Sequence, residues 1–516
     1  MPAALRLFFA RHPVVRDAVL WALPAIVLGA VLRLLLLHYL PYAYWGSDSR
    51  SYYSFTHLLL ERGYVSLDEK RRYLYPLLML PISVLPGSPL RWLAWLQHGL
   101  GLATILPLAY LVRKSFVHWR LWVVPVTVAF SGMPLVLWYE HELLGETLFF
   151  AMLVWTIAGW AAWVGEAQLE RARRLFWWFF VPFALFLLTK PAGRFYWPGV
   201  LVGLVAVCAW RKLDWRRWTA LGVLFAITLT VGSKKQAAWL LYSAVFPLTQ
   251  LGTPLHADYK AQIRDKVEVA QRDFAIFYDR DEDAFNFLEV PGKHPDRPLW
   301  AALDKDVKKK SAVYMALAKE GIFARPDLAL NLGLQKLLGS ANLSAFKRDR
   351  FLSSYTAERY EHLYDASAKR DDGVARRILA LPRGPLPDYA EISARLAPHP
   401  GGFAERTVRA WVEGYLSVCD LIVMPRDREG EVQAIIPPKF TPLGWWLLAG
   451  IVLSLLPRYR PVLGVWAIAA CLYLVGVFCV SHMNPRYFAP AWPVFIPLLA
   501  VPADALLALL RRGAAR

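Results

Sequence analysis

The run Ala18–Leu37, AVLWALPAIVLGAVLRLLLL, decides how the chain is read. It holds one charge, Arg33, and has the roughly 20 apolar residues that a helix needs to cross a bilayer. Comparable runs recur through the 516 residues, 57% hydrophobic and 14% aromatic, with mean hydropathy +0.33. They predict an all-α polytopic membrane protein with spans near 18–38, 91–112, 121–138, 143–164, 175–189, 196–210, 217–232, 442–456, 461–480 and 487–509, about ten in all. Arg6, Arg11 and Arg16 precede the first run and no clear small-residue cleavage site follows it, so it reads as an uncleaved span.

A net charge of +19 would suggest nucleic acid in a soluble protein. Here the excess falls in short loops. With the N-terminus inside, the inner segments are Arg113–Arg120, Gly165–Arg174, Arg211–Arg217, Pro457–Arg460 and the tail Arg511–Arg516. Each carries Lys or Arg in excess, which is the positive-inside pattern, so orientation explains the charge and no nucleic-acid partner is implied. Both termini are then cytoplasmic. Cys208, Cys471 and Cys479 lie in apolar runs and Cys419 stands apart; with no CxxC pair, neither a disulfide framework nor a zinc site is supported.

The chain divides into a membrane module at 1–232, an extracytoplasmic insert at 233–441 and C-terminal spans at 442–516. The insert reads as a mainly helical soluble domain. The module contains a long outer loop, 41–90. Within that loop Tyr73–Leu85, YLYPLLMLPISVL, is apolar but short and carries Pro76 and Pro81, so it reads as an interfacial or re-entrant segment.

The same loop opens with Tyr44–Tyr53, YWGSDSRSYY, which sets Asp48 just past the membrane surface. An acid there can take a proton from a hydroxyl, bind a metal, or serve as a turn or helix N-cap. Other outer segments gather similar groups: Glu140, His141, Glu142 and Glu146 in YEHELLGE, Lys190 and Arg194 in TKPAGR, and His482, Asn484 and Arg486 in SHMNPRY. Ionisable groups at membrane depth are costly and tend to be paired or functional. No phosphate loop of the GxxxxGK[ST] type, HExxH or GxSxG motif occurs to suggest nucleotide hydrolysis or proteolysis. Arg and Lys at this depth suit a phosphate, and an Asp beside them suits a general base. Further carboxylates suit an acceptor or a divalent cation. The set points to group transfer from a lipid-linked phosphate on the non-cytoplasmic face.

At these residues the chain resembles the GT-C superfamily of polytopic glycosyltransferases, in the branch of protein O-mannosyltransferases and bacterial aminoarabinose transferases. The resemblance rests on Asp48 followed by Tyr52 and Tyr53, the run Arg71-Arg72-Tyr73-Leu74-Tyr75-Pro76, the segment from Glu142 to Glu146, the bases Lys190 and Arg194, and Arg486-Tyr487 with Pro490. It implies an inverting transfer from a polyprenyl-phosphate-linked sugar to a glycan, lipid or protein acceptor in a bacterial inner membrane, facing the periplasm. Asp48 would be the base. Lys190, Arg194, Arg486 and His482 would hold the donor phosphate, and Glu142, Glu146, Tyr53 and Arg72 would support the acceptor. A divalent cation is compatible with this set but not specified by it. The family often has a second acid after the first, where this chain has Ser49. The rival readings are a flippase or transporter for lipid-linked saccharides, a ligase or polymerase, and a non-catalytic assembly subunit.

Overall fold

The computed structural model describes residues 10–46, 48–63, 74–208, 214–230, 238, 241–242, 244–272, 307–341, 363–365, 373–381, 387–399, 401–419, 440–480 and 485–514. Among these the regular structure is helical, with one isolated parallel bridge between Tyr44 and Glu142. His482 and Arg72 lie outside the described residues.

Among the described residues six helices are long and apolar enough to cross a membrane: Pro13–Tyr39, Pro89–Ser115, Glu146–Val164, Leu169–Thr189, Arg460–Cys479 and Ala489–Arg511. The predicted spans near 196–210, 217–232 and 442–456 correspond to shorter helices, Trp197–Cys208, Trp215–Thr230 and Pro442–Leu453. The predicted span 121–138 is not one straight helix. Trp119–Ser131 and Pro134–Glu140 meet at 52°, because Pro134 takes the first position of a new helix and has no N–H with which to continue the old one. The break would strand carbonyls in apolar surroundings. Trp411 Nε1 donates to Gly132 O at 2.6 Å and Tyr415 OH donates to Ala129 O at 2.7 Å, both from the Phe403–Cys419 helix.

The spans pack through aromatic side chains. Phe176, Phe179, Phe183 and Phe186 recur at helical spacing on Leu169–Thr189 and are fully buried. They meet Trp160, Trp163 and Phe149 of the Glu146–Val164 helix, with Phe149 stacked on Phe186 at 4.3 Å. Elsewhere one buried carboxylate gathers several donors. Asp504 accepts from the backbone N–H groups of Val117 and His118 at 3.0 and 2.8 Å, and from Tyr459 OH at 2.7 Å. It thereby joins three separate stretches of chain.

Residues of the 233–441 segment divide between two cores. Tyr242, Phe246, Ile263, Val267, Tyr314 and Leu332 form a core of their own. Val374, Ile378, Ile392, Val408 and Val412 belong instead to the core of the membrane module. Arg377 donates to Ser83 O at 3.0 Å and Ser88 Oγ donates to Ile378 O at 2.7 Å. The Gly373–Ile378 helix is therefore bonded to the end of the 41–90 loop.

Candidate active site

Among its described residues the 41–90 loop has two helices, Ser49–Arg62 and Leu74–Ser83. Between the first span and these helices the chain pairs with the second turn: Tyr44 N donates to His141 O at 2.6 Å and Leu143 N to Tyr44 O at 3.0 Å. Ser49 Oγ donates to Leu143 O at 2.9 Å and accepts from Gly46 N at 2.8 Å. Gly46 lies against the Glu142 carboxylate, which would have to move to admit a β-carbon there. These contacts fix Asp48 relative to Glu142 and Glu146.

Asp48 occupies the N-cap position of the Ser49–Arg62 helix, but its side chain makes no capping bond. It turns to Arg486, whose NH1 donates to Asp48 Oδ2 at 2.7 Å. The Nε of Arg486 donates to Glu146 Oε1, and Lys190 Nζ donates to the same oxygen. Four groups from four parts of the chain thus form one cluster. Glu146 lies at its buried floor with side-chain exposure of 1%, while Asp48 retains 33%. Glu146 Oε2 is buried without a hydrogen-bond partner among the described residues.

The other predicted site residues are arranged around this cluster or apart from it. Glu142 accepts from Trp138 Nε1 at 2.8 Å and sits against Gly46. Arg194 is partly buried over the Phe195 ring, 5.2 Å from its centroid, and makes no salt bridge with a carboxylate among the described residues. Tyr53 is buried against Trp45, near Ser83 and Arg377. It is Tyr52 whose hydroxyl approaches Gly145, 3.7 Å from where a β-carbon would sit, beside Glu146. Helix phase decides this, since adjacent residues on a helix point about 100° apart.

A second, deeper network was not legible residue by residue. Arg33 NH2 meets Glu140 Oε1 at 2.5 Å, and His98 Nδ1 meets Glu140 Oε2 at 2.8 Å. His98 Nε2 lies 3.1 Å from His141 Nδ1. Gly101 makes room for the Glu140 carboxylate, with which any β-carbon would clash. Next to His98, the amide of Gln97 donates to Glu142 O at 2.7 Å and Glu140 O at 3.1 Å, and accepts from Tyr75 OH at 2.8 Å. Burial, with the charges of Glu146 and Glu142 nearby, holds the Tyr75 phenol well above its ordinary pKa, so it stays a donor. Burial, reinforced by His98, holds His141 well below the usual histidine value and therefore neutral. Polar residues in an apolar run were the available signal for this network; their pairing is a matter of tertiary structure. Among the described residues no group of three or more His, Cys, Asp or Glu side chains is placed to hold a metal ion.

No protein-family profile matches the sequence, and no curated protein matches it. Solved structures do. The oligosaccharyltransferase of Archaeoglobus fulgidus in its apo form is similar over 95% of this chain and 51% of its own, at 14% identity and a TM-score of 0.41. The archaeal oligosaccharyltransferase from the same organism in complex with an inhibitory peptide and a dolichol-phosphate is similar over 98% of this chain and 52% of its own, at 15% identity and the same TM-score, 0.41. The chain spans about half the length of these structures.

Proposed function

We propose that the protein is an inverting glycosyltransferase of the GT-C type. It would move a sugar from a polyprenyl-phosphate donor to an acceptor hydroxyl on the extracytoplasmic face of the membrane. The observation that carries this reading is the cluster of Asp48, Arg486, Glu146 and Lys190, in which a partly exposed carboxylate is set among cations suited to a phosphate.

In this mechanism Arg486 and Lys190 bind the donor phosphate, and Arg194 stands further out along the same segment. Asp48 accepts the proton of the acceptor hydroxyl. The hydroxyl oxygen attacks the anomeric carbon as the bond from that carbon to the phosphate oxygen breaks. The electron pair leaves on polyprenyl phosphate, whose charge the two cations stabilise without any covalent enzyme intermediate. Glu146 holds both cations in place. Glu142, fixed by Trp138 and the Tyr44 bridge, faces the same region and orients the acceptor.

The test incubates purified protein with a panel of polyprenyl-phosphate sugars and measures released polyprenyl phosphate. The expected result is turnover with at least one donor, abolished in Asp48→Asn while the protein stays folded. Full turnover in folded Asp48→Asn would remove the mechanism. Absence of turnover across the panel, with vectorial movement of the lipid instead, would favour transport.

A further inference from the structure

The base and one of the phosphate ligands proposed above are paired with each other in the structure. Arg486 spans two acids, its Nε on Glu146 and its NH1 on Asp48 at 2.7 Å. The contact with Asp48 is the more exposed of the two, since Asp48 is 33% exposed and Glu146 1%. Glu146 is also held by Lys190 and has a buried second oxygen with no donor among the described residues. Its grip on the two cations can therefore change in geometry without being lost.

We infer that Arg486 is a shared ligand: in the resting site it holds Asp48, and the arriving donor phosphate takes its NH1 face and releases the Asp48 carboxylate to act as base. This deepens the glycosyltransferase reading and rests on it.

Charge explains why the exchange matters. Among the described residues, the charges of Asp48 and Glu146 balance those of Arg486 and Lys190. A carboxylate bonded to a guanidinium is a weak base, because the neighbouring positive charge favours its ionised form. A phosphodiester entering the cluster adds one negative charge, and Asp48 loses its bond to the Arg486 guanidinium. Both changes raise its affinity for a proton at the moment a donor is in place. The acceptor hydroxyl then supplies that proton, and the breaking bond leaves a second negative charge on the departing phosphate, so the total charge is conserved across the step. Before the donor arrives, the base is masked, which orders the two substrates: donor first, acceptor second. Glu146 is the pivot. Its burial keeps Arg486 from leaving with the phosphate, and its free oxygen accepts a donor when the guanidinium turns.

The experiment measures binding of undecaprenyl phosphate to the full-length protein in nanodiscs, with no acceptor and no sugar. If Asp48 competes with phosphate for Arg486, Asp48→Asn tightens binding by about two- to fivefold, the scale of a partly exposed ion pair. In an Arg486→Gln background the same Asp48→Asn change leaves affinity unaltered. In a Lys190→Gln background the tightening persists, because Lys190 pairs with Glu146. Unchanged or weaker binding in Asp48→Asn alone overturns the inference, whatever the other variants do. So does equal tightening in the Arg486→Gln background, which would mark a general field effect. Failure of the unaltered protein to bind undecaprenyl phosphate at all would instead remove the function on which the inference rests.

Discussion

Arg33 NH2 and Glu140 Oε1 lie 2.5 Å apart with side-chain exposures of 3% and 1%, joining the first span to the end of the broken one. Their separation in sequence is 107 residues. Removing one partner leaves the other charge buried, which typically costs about 3–5 kcal/mol, whereas replacing both by apolar residues is often neutral. Arg33→Leu and Glu140→Leu are each expected to lower the unfolding midpoint of the purified protein markedly. The Arg33→Leu/Glu140→Leu double variant should recover most of the loss in the same thermal assay. A double variant less stable than either single one would show that the pair is not the unit.

Lys190 and Arg194 are four positions apart but differently placed. Lys190 joins Glu146, and Arg194 lies over Phe195. A charge-assisted hydrogen bond to phosphate is worth roughly 1.5–3 kcal/mol, or about ten- to a hundredfold in affinity. Lys190→Gln is therefore expected to raise the donor KM by about tenfold or more. Arg194→Gln should change it by no more than about threefold. Steady-state kinetics with a single donor would decide, and the reverse ranking would move the phosphate toward Arg194.

His141 gives the stability a pH dependence. Its pKa in the fold is depressed, by burial first and His98 second, with Tyr42 only partly opposing. The unfolded chain has an ordinary histidine near pKa 6.5 and so binds the proton first as pH falls. The stabilisation is thus fully present above about pH 6.5 and is lost progressively below it. Between about pH 7.5 and about pH 5.5 the unfolding midpoint should fall further in the unaltered protein than in His141→Gln. Equal falls would mean that other groups govern acid sensitivity.

At the break, Trp411→Phe keeps the ring and removes the N–H given to Gly132 O. Leaving a buried carbonyl unpaired costs about 1–3 kcal/mol. A measurable drop in midpoint is expected, against little change for Phe403→Ala, since Phe403 is 70% exposed. No drop in Trp411→Phe would mean that another group satisfies the carbonyl.

Much of the membrane architecture was legible because a bilayer-length apolar run is a local property of sequence. Asp48, Lys190, Glu146 and Arg486 could be singled out for the same reason: each is an ionisable group beside an apolar run. Their bonding could not be, because Arg486 and Asp48 are 438 residues apart. Tyr52 and Tyr53 are separated by helix phase, which composition does not reveal: Tyr52 approaches Gly145 and Tyr53 packs against Trp45. Gly132-Met133-Pro134 carried the signal for a broken span, but an apolar window spanning both halves outweighed it. Gln97 and His98 interrupt a hydrophobic run with polarity and no motif, and acquire meaning only once Glu140 is placed against them.

The Trp411–Gly132 bond also bears on how the chain is built. The two residues are 279 positions apart, so ribosome and membrane insertion machinery deliver the broken span long before its partner exists. Until the Phe403–Cys419 helix has been made, the bare carbonyls at the bend must be covered by water or by insertion factors. Biogenesis of this protein is consequently not a strictly N-to-C succession of finished spans: an early one is completed late, by a helix made long after it.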